Sequence, residues 1–389
     1  MIDIHQIRKD TLGCTDKTFL NSAGSSLMPK TVLEKMTAYL REEEQFGGYA
    51  VATKQAEILN EFYSETAKLI NCKPQNIAFT TSATDAYAKA LASIPFKNGD
   101  SIITTDDDYV ANQIALISLQ KRLNIAIHRI KKLPNHELDL AHLENLIRQY
   151  QPKLIAVTHI PTNSGLIQDV AAVGKICQQH EILYLVDACQ SVGQLVVDVA
   201  TIGCDFLTAT GRKFLRGPRG TGFLFISDKA LKLNLAPLFL DMNGAKWTAT
   251  DDYEIMDSAK RFEIWEKPCA AIIGYTEAIR YANNIGLSNI ESYNLALSKK
   301  LRQLLMENEN LRVLDEGTHL ASIVTFIPKN LSFEGLQNLL SKNNIFYSVS
   351  YKSSALIDFT VKNVDWAARF SPHYFNTLEE MEKVAALLA

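Results

Sequence analysis

The strongest constraint on the fold is a rhythm. Residues 77–81, 101–105, 126–130, 154–158 and 182–187 read as short strands, and 86–92, 110–122, 138–150 and 169–180 read as helices between them. Strands that are almost wholly apolar need cover on both faces, so the pattern predicts an α/β fold with a largely parallel sheet between helices. At 389 residues the chain is too long for one ordinary core. A smaller α/β pattern occupies the C-terminal part: helix 288–308, strand 322–327, helix 333–342, strands 346–351 and 367–371, and helix 376–388. The expected division is a large unit, 1–285, which includes the N-terminal segment, and a small unit, 286–389.

In open parallel sheets ligands gather beyond the carboxyl ends of the strands. Three polar groups fall at such positions: Ser82-Ala83-Thr84 after the first strand, Thr162-Asn163 in the loop after 154–158, and Asp187. Strand 77–81 runs through hydroxyls into a helix start, where free N–H groups and the helix dipole favour an anion, although the same residues also serve as ordinary caps. Further on lies Thr210-Gly211-Arg212-Lys213-Phe214-Leu215-Arg216-Gly217-Pro218-Arg219-Gly220-Thr221-Gly222. Its glycines and arginines suit a shaped loop near something anionic, and they equally suit a solvated basic hairpin.

A lysine amine becomes a Schiff-base nucleophile when desolvation or a cationic neighbour lowers its pKa. Asp187, buried at a strand end, needs a cation, and a protonated pyridine nitrogen is one. Lys213, Asp187 and an upstream phosphate cradle of Ser82, Ala83, Thr84, Thr210 and Arg212 therefore point together to pyridoxal 5'-phosphate. The eight histidines and six cysteines lack metal-ligand spacing, so no metal site is expected. A net charge of −3 gives no case for nucleic acid. No apolar run reaches membrane-spanning length, the N-terminus does not read as a signal peptide, and the scattered cysteines read as reduced thiols of a cytoplasmic protein.

These residues resemble the class V aminotransferase family of pyridoxal-phosphate enzymes, which has the type I fold and includes cysteine desulfurases, isopenicillin N epimerases and carbon–sulfur lyases. The resemblance rests on Val186-Asp187-Ala188-Cys189-Gln190, Thr210-Gly211-Arg212-Lys213, the glycine-rich run that follows, Leu20-Asn21-Ser22-Ala23-Gly24, Thr158 to Gly165, and Arg369 to Thr377. It implies that Lys213 carries the cofactor and acts as catalytic base, that Asp187 holds the pyridine nitrogen, and that Gln190 faces the ring or its 3-hydroxyl. It also implies that Ala83, Thr84, Thr210 and Arg212 bind phosphate, that Thr162 or Asn163 donates to the ring oxygen, and that Arg369 grips the substrate carboxylate beside Ala23. Tyr109 is the nearest aromatic for stacking on the ring. Arg216 and Arg219 either bind a second acidic group of the substrate or cap carbonyls. The family also implies a homodimer in which residues near 260–268 serve the neighbouring subunit.

Two departures bear on the reaction. No cysteine follows Cys269, so the segment 345–356 cannot carry the persulfide of a desulfurase. Glu266 stands where the desulfurases place a phosphate-binding hydroxyl. The expected reaction is β-elimination from a sulfur-substituted cysteine or its sulfoxide, with transamination and epimerisation as alternatives. A binding protein without catalysis is a further alternative, against which the retention of Lys213, Asp187 and Arg369 speaks.

Overall fold

The computed structural model describes residues 2–389. Its strands are β1 (Thr18–Phe19), β2 (Ile77–Thr80), β3 (Ser101–Thr105), β4 (Ala126–Ile130), β5 (Leu154–Thr158), β6 (Leu183–Asp187), β7 (Phe206–Thr210), β8 (Gly222–Ile226), β9 (Ala245–Ala249), β10 (Asp252–Ile255), β11 (Leu311–Val313), β12 (Val324–Pro328), β13 (Ile345–Phe346), β14 (Ser348–Tyr351) and β15 (Trp366–Phe370). The main sheet has the order β2-β8-β7-β6-β5-β3-β4. Strands β3 to β7 pair in parallel, and β8 runs antiparallel to both β7 and β2. This is the expected α/β architecture, with one reversed strand inserted near an edge.

Sequence alternation explains the covering layers. Ile102, Leu185 and Phe206 point into one apolar layer, and their neighbours Ile103, Val186 and Leu207 into the other, all six without exposure. Successive strand side chains face opposite ways, so both faces of the sheet need helices. One cover is the helix Cys269–Ile285, in a stretch whose sequence reads only as mixed. It packs on the helices Lys30–Phe46 and Ala56–Ile70. At Gly274 an added Cβ would lie 2.4 Å from the Met36 side chain, so the residue that weakens the helical pattern is the one that allows the close approach.

The helix Cys269–Ile285 stops at Gly286, where φ is +91°, and the helix Leu287–Met306 begins. That second helix contributes Leu297, Leu301 and Leu305 to a separate apolar core with Phe326, Leu336, Leu340 and Phe370. The small antiparallel sheet has the order β11-β12-β15-β14. The N-terminal segment, grouped by sequence with the large unit, crosses to this second core. Strand β1 pairs in parallel with β13, Leu20 is buried among the small-unit leucines, and Ser371 N donates to Leu20 O at 2.8 Å. The chain from 18 to 26 thus straps the two units together beside the carboxyl edge of the main sheet.

Arg216 helps to secure that strap, which decides between the two uses open to it in the sequence. It has no exposed surface, its Nε donates to Leu27 O at 2.8 Å, and a second nitrogen donates to Thr11 Oγ1. Its guanidinium lies 5.0 Å from the Tyr374 ring centre and 4.9 Å from that of Phe375. It is a carbonyl-capping, ring-stacked core residue with no access to a substrate. Arg216→Ala is expected to cost on the order of 3 kcal/mol through the cavity and the orphaned acceptors, read as a lowered urea midpoint. Arg219→Ala, at an exposed position, should leave the midpoint within error.

Candidate active site

The carboxyl ends of β2, β3, β5, β6 and β7 bring the candidate residues to one edge. Strand β2 leads through Ser82 into the helix Ala83–Ser93, with Ser82 Oγ accepting from Asp85 N at 3.1 Å. That cap uses the third amide of the turn, and the N–H groups of Ala83 and Thr84 lie in the first turn, where no i−4 carbonyl exists for them. Gly222, at the start of β8, runs close beside this turn: a Cβ there would sit 2.9 Å from the Ser82 carbonyl carbon.

Asp187 ends β6 and is 4% exposed. Its Oδ1 accepts from Cys189 N at 2.9 Å and its Oδ2 from Asn112 Nδ2 at 2.7 Å. Lys213 is also buried, and its Nζ lies 5.7 Å from the centre of the Tyr109 ring. Burial is the main influence pushing its pKa below the ordinary lysine value; Arg212 and Arg369 add to the depression, and Cys189 and Asp187 oppose it. Gly193 fixes the backbone behind this lysine. Its φ is +93°, and a Cβ would meet the Phe214 carbonyl carbon at 2.5 Å.

Thr162 joins three of the expected residues. Its Oγ1 accepts from Gln190 Nε2 at 2.8 Å and from Arg369 Nη1 at 2.6 Å. Two acceptances occupy both lone pairs of a hydroxyl, leaving its O–H as a donor. Gln190 Nε2 also donates to Ala23 O at 3.1 Å, which places the Ala23 backbone on the same wall. Arg369 is buried, its pKa pushed down to about 10 by burial and Arg212, and its Nε has no partner. Arg212 donates to Gly24 O. Both guanidiniums are held by neutral oxygens, so this edge of the sheet brings Arg212, Arg369 and Lys213 together with free amides and one buried acidic side chain.

Some expected residues lie elsewhere. Asn163 turns away from Thr162 and donates to Asp358 Oδ2 at 2.5 Å, a carboxylate that also pairs with Lys362 at 2.9 Å. Thr210 Oγ1 donates to Thr221 O at 3.1 Å within the hairpin, and Arg219 is exposed. The sequence reading did not single out Asn112, Asp108, Thr158 or His373. His373 Nε2 contacts Phe214 O at 2.7 Å and ties the small unit to the residue after Lys213. An Asn three residues after Tyr109, on the helix face that passes β6, is a signal that could have found Asn112. His373 lies within the Arg369 to Thr377 stretch, but its role depends on how the two units meet.

Residues 18–384 match the family described as Aminotransferase class-V. The chain belongs to that family. Pyridoxal phosphate is the family's cofactor, and the donor set fits it: free amides and a guanidinium for phosphate, a spare hydroxyl donor for a ring oxygen, a buried carboxylate for a ring nitrogen and a depressed lysine for the aldehyde. A relative from Methanothermobacter thermautotrophicus named "Probable cysteine desulfurase" is 26% identical, over 98% of this chain and 96% of its own. Another of the same name, from Pyrococcus abyssi, is 28% identical over 98% of this chain and 96% of its own. The apo structure of a cysteine desulfurase from Thermococcus onnurineus covers 100% of this chain and 98% of its own, with a TM-score of 0.91 and 26% identity. The cystine C–S lyase C-DES, in complex with its product cysteine persulfide, shares the fold, with a TM-score of 0.86 at 21% identity over 97% of this chain and 98% of its own.

His159 gives the site a pH signature. It is buried behind Asp187, whose carbonyl accepts from His159 N at 2.9 Å, and burial pushes its pKa down to about 4. Unfolded histidine titrates near 6.5, so between about 6.5 and 4 the unfolded chain binds the extra proton. Stability should therefore fall as pH drops through that window. His159→Gln should flatten the acid limb of a urea-midpoint-versus-pH profile, and an unchanged slope would contradict the assignment.

Proposed function

We propose that this chain cleaves the Cβ–S bond of an S-substituted cysteine, or its sulfoxide, by β-elimination, giving pyruvate, ammonia and a sulfur product. The observation that carries the proposal is the pairing of Lys213, buried and depressed beside Asp187, with a 345–356 segment that contains no cysteine. When bound, pyridoxal phosphate supplies an electron sink for charge that develops at the substrate Cα. Lys213 Nζ, neutral more readily than a surface lysine, takes the Cα proton. Asp187, held by Asn112 and the Cys189 amide at the carboxyl end of β6, stands ready to meet the ring nitrogen. Arg369, oriented by Thr162, holds the substrate carboxylate in a two-point grip. Ala83 and Thr84, with Arg212, hold the phosphate; Thr162 rather than Asn163 faces the ring oxygen, with Gln190 at its side; and Tyr109 covers one face.

The names of the relatives favour a second reading, cysteine desulfuration with an external thiol as sulfur acceptor. Cys189, the thiol beside Lys213, does not supply that acceptor itself, because burial pushes its pKa up and leaves it as the poorly nucleophilic neutral form. The supporting chemistry for a subunit pair is an exposed apolar surface: Phe239, Trp247 and Tyr49 are 86%, 78% and 78% exposed, with Trp265 nearby in sequence to Glu266. A homodimer that buries these side chains, with the 260–268 segment reaching the neighbouring subunit, belongs to the same proposal. So does a cytoplasmic setting, which suits six free cysteines. Among the described residues no helix is long and apolar enough to cross a membrane.

A panel of S-substituted cysteines, their sulfoxides, cysteine and ordinary L- and D-amino acids separates the readings. Pyruvate and ammonia in equal amounts support elimination. Alanine formed from cysteine supports desulfuration, and amine exchange dependent on a keto acid, or loss of chirality without turnover, would defeat the lyase reading. Arg369→Lys should raise KM for the productive substrate by at least about tenfold, because one ammonium cannot reproduce the bidentate grip.

A further inference from the structure

We infer that Asn112, held in place by Asp108, is a positioning residue for Asp187: it sets the orientation of the carboxylate that meets the cofactor nitrogen. The inference rests on the pyridoxal-phosphate site described above and deepens it by one layer of contacts.

Asn112 lies in the first turn of the helix Val110–Leu123, whose N-cap is Tyr109. The same helix start therefore places Tyr109 over Lys213 and Asn112 against Asp187. Asn112 is 3% exposed, and its amide nitrogen donates to Asp187 Oδ2 at 2.7 Å and to Asp108 Oδ1 at 3.0 Å. An amide nitrogen has two hydrogens, so both are spent on the two carboxyl groups. The side chain is pinned between them and has no rotational slack.

Asp108 is organised to hold that amide. Its Oδ1 accepts from Tyr109 N at 2.7 Å and from Thr158 Oγ1, and its Oδ2 accepts from Gln113 Nε2 at 2.7 Å. Thr158 is the last residue of β5, in register with Asp187 on β6. The cluster thus spans the ends of two neighbouring strands and one helix start. Burial pushes the Asp108 carboxyl above the ordinary range, and the bonds donated by Thr158, Asn112 and Gln113 oppose that shift. The acidic run 106–108 thus contributes its last member to the interior beneath the site; Asp107 is likewise buried, paired with Lys132 at 2.5 Å.

The test uses the enzyme as purified, with cofactor. Asn112→Ala is expected to weaken cofactor retention on dilution about tenfold, the effect of losing one hydrogen bond to a charged group, and to shift the balance of the cofactor's visible absorption bands. Asp108→Ala should move both readouts in the same direction. Asp108→Asn, which keeps an oxygen acceptor for the Asn112 amide and loses only the Gln113 bond, should fall between wild type and Asp108→Ala. A purely structural role would lower the thermal midpoint without moving the spectrum, and would overturn the inference. So would wild-type retention and spectrum in Asn112→Ala, or equal damage from Asp108→Asn and Asp108→Ala. If Asn112→Ala does not fold, Asn112→Ser is judged by the same two readouts. A wild-type protein without a visible band would sink the cofactor reading itself, whereas a normal wild-type band with unchanged variants would sink only the role of Asn112.

Discussion

Desolvation of Lys213 is the constraint on which the site depends. A lysine this deeply buried is costly to keep charged, and Arg212 and Arg369 raise the cost further. Below the unfolded lysine pKa, near 10.5, the unfolded chain holds the proton more tightly, so the buried amine detracts from stability at neutral pH. The fold tolerates this because the surrounding layers are over-determined. Both faces of the main sheet are fully packed, and the backbone after Lys213 is held by Gly193 on one side and His373 on the other. An anionic cofactor that condenses with the amine would relieve both problems at once.

The same reasoning explains why the two units meet where they do. Arg369 comes from β15 of the small sheet, whereas Thr162, Gln190 and Lys213 come from loops of the large one. The strap from β1 to Ser26 passes between them: Ala23 O accepts from Gln190, and Ser26 N donates to Arg212 O at 2.7 Å. Asn163 and Asp358 form a second crossing point next to Thr162. Under the role proposed for Arg369, a substrate carboxylate would be positioned against groups of the other unit, with little freedom at the joint.

Much of this was legible in the sequence, for physical reasons that can be named. The parallel strands are short and apolar on both faces, so their positions and the carboxyl edge followed from patterning alone. Asp187 and Lys213 stood out because a strand-end acid and a glycine-flanked lysine are both costly without a partner. What was not legible depends on tertiary contact. Thr162 and Asn163 are adjacent and chemically similar, and only the packing of Asp358 against one and Arg369 against the other separates them. Arg216 and Arg219 look alike in a basic loop, yet one is wholly buried among aromatic rings and the other faces solvent. The helix Cys269–Ile285 was obscured by Gly274 and Thr276, and Asp108 was hidden in what reads as a solvated acidic run.

The central claim is that Lys213 is the residue that bonds the cofactor. Its most direct test is borohydride reduction of the purified protein, followed by proteolysis and mass spectrometry of the lysine peptides. The account predicts a single pyridoxyl-phosphate adduct, on the peptide containing Lys213. An adduct on another lysine, or none on a protein that contains the cofactor, would contradict it.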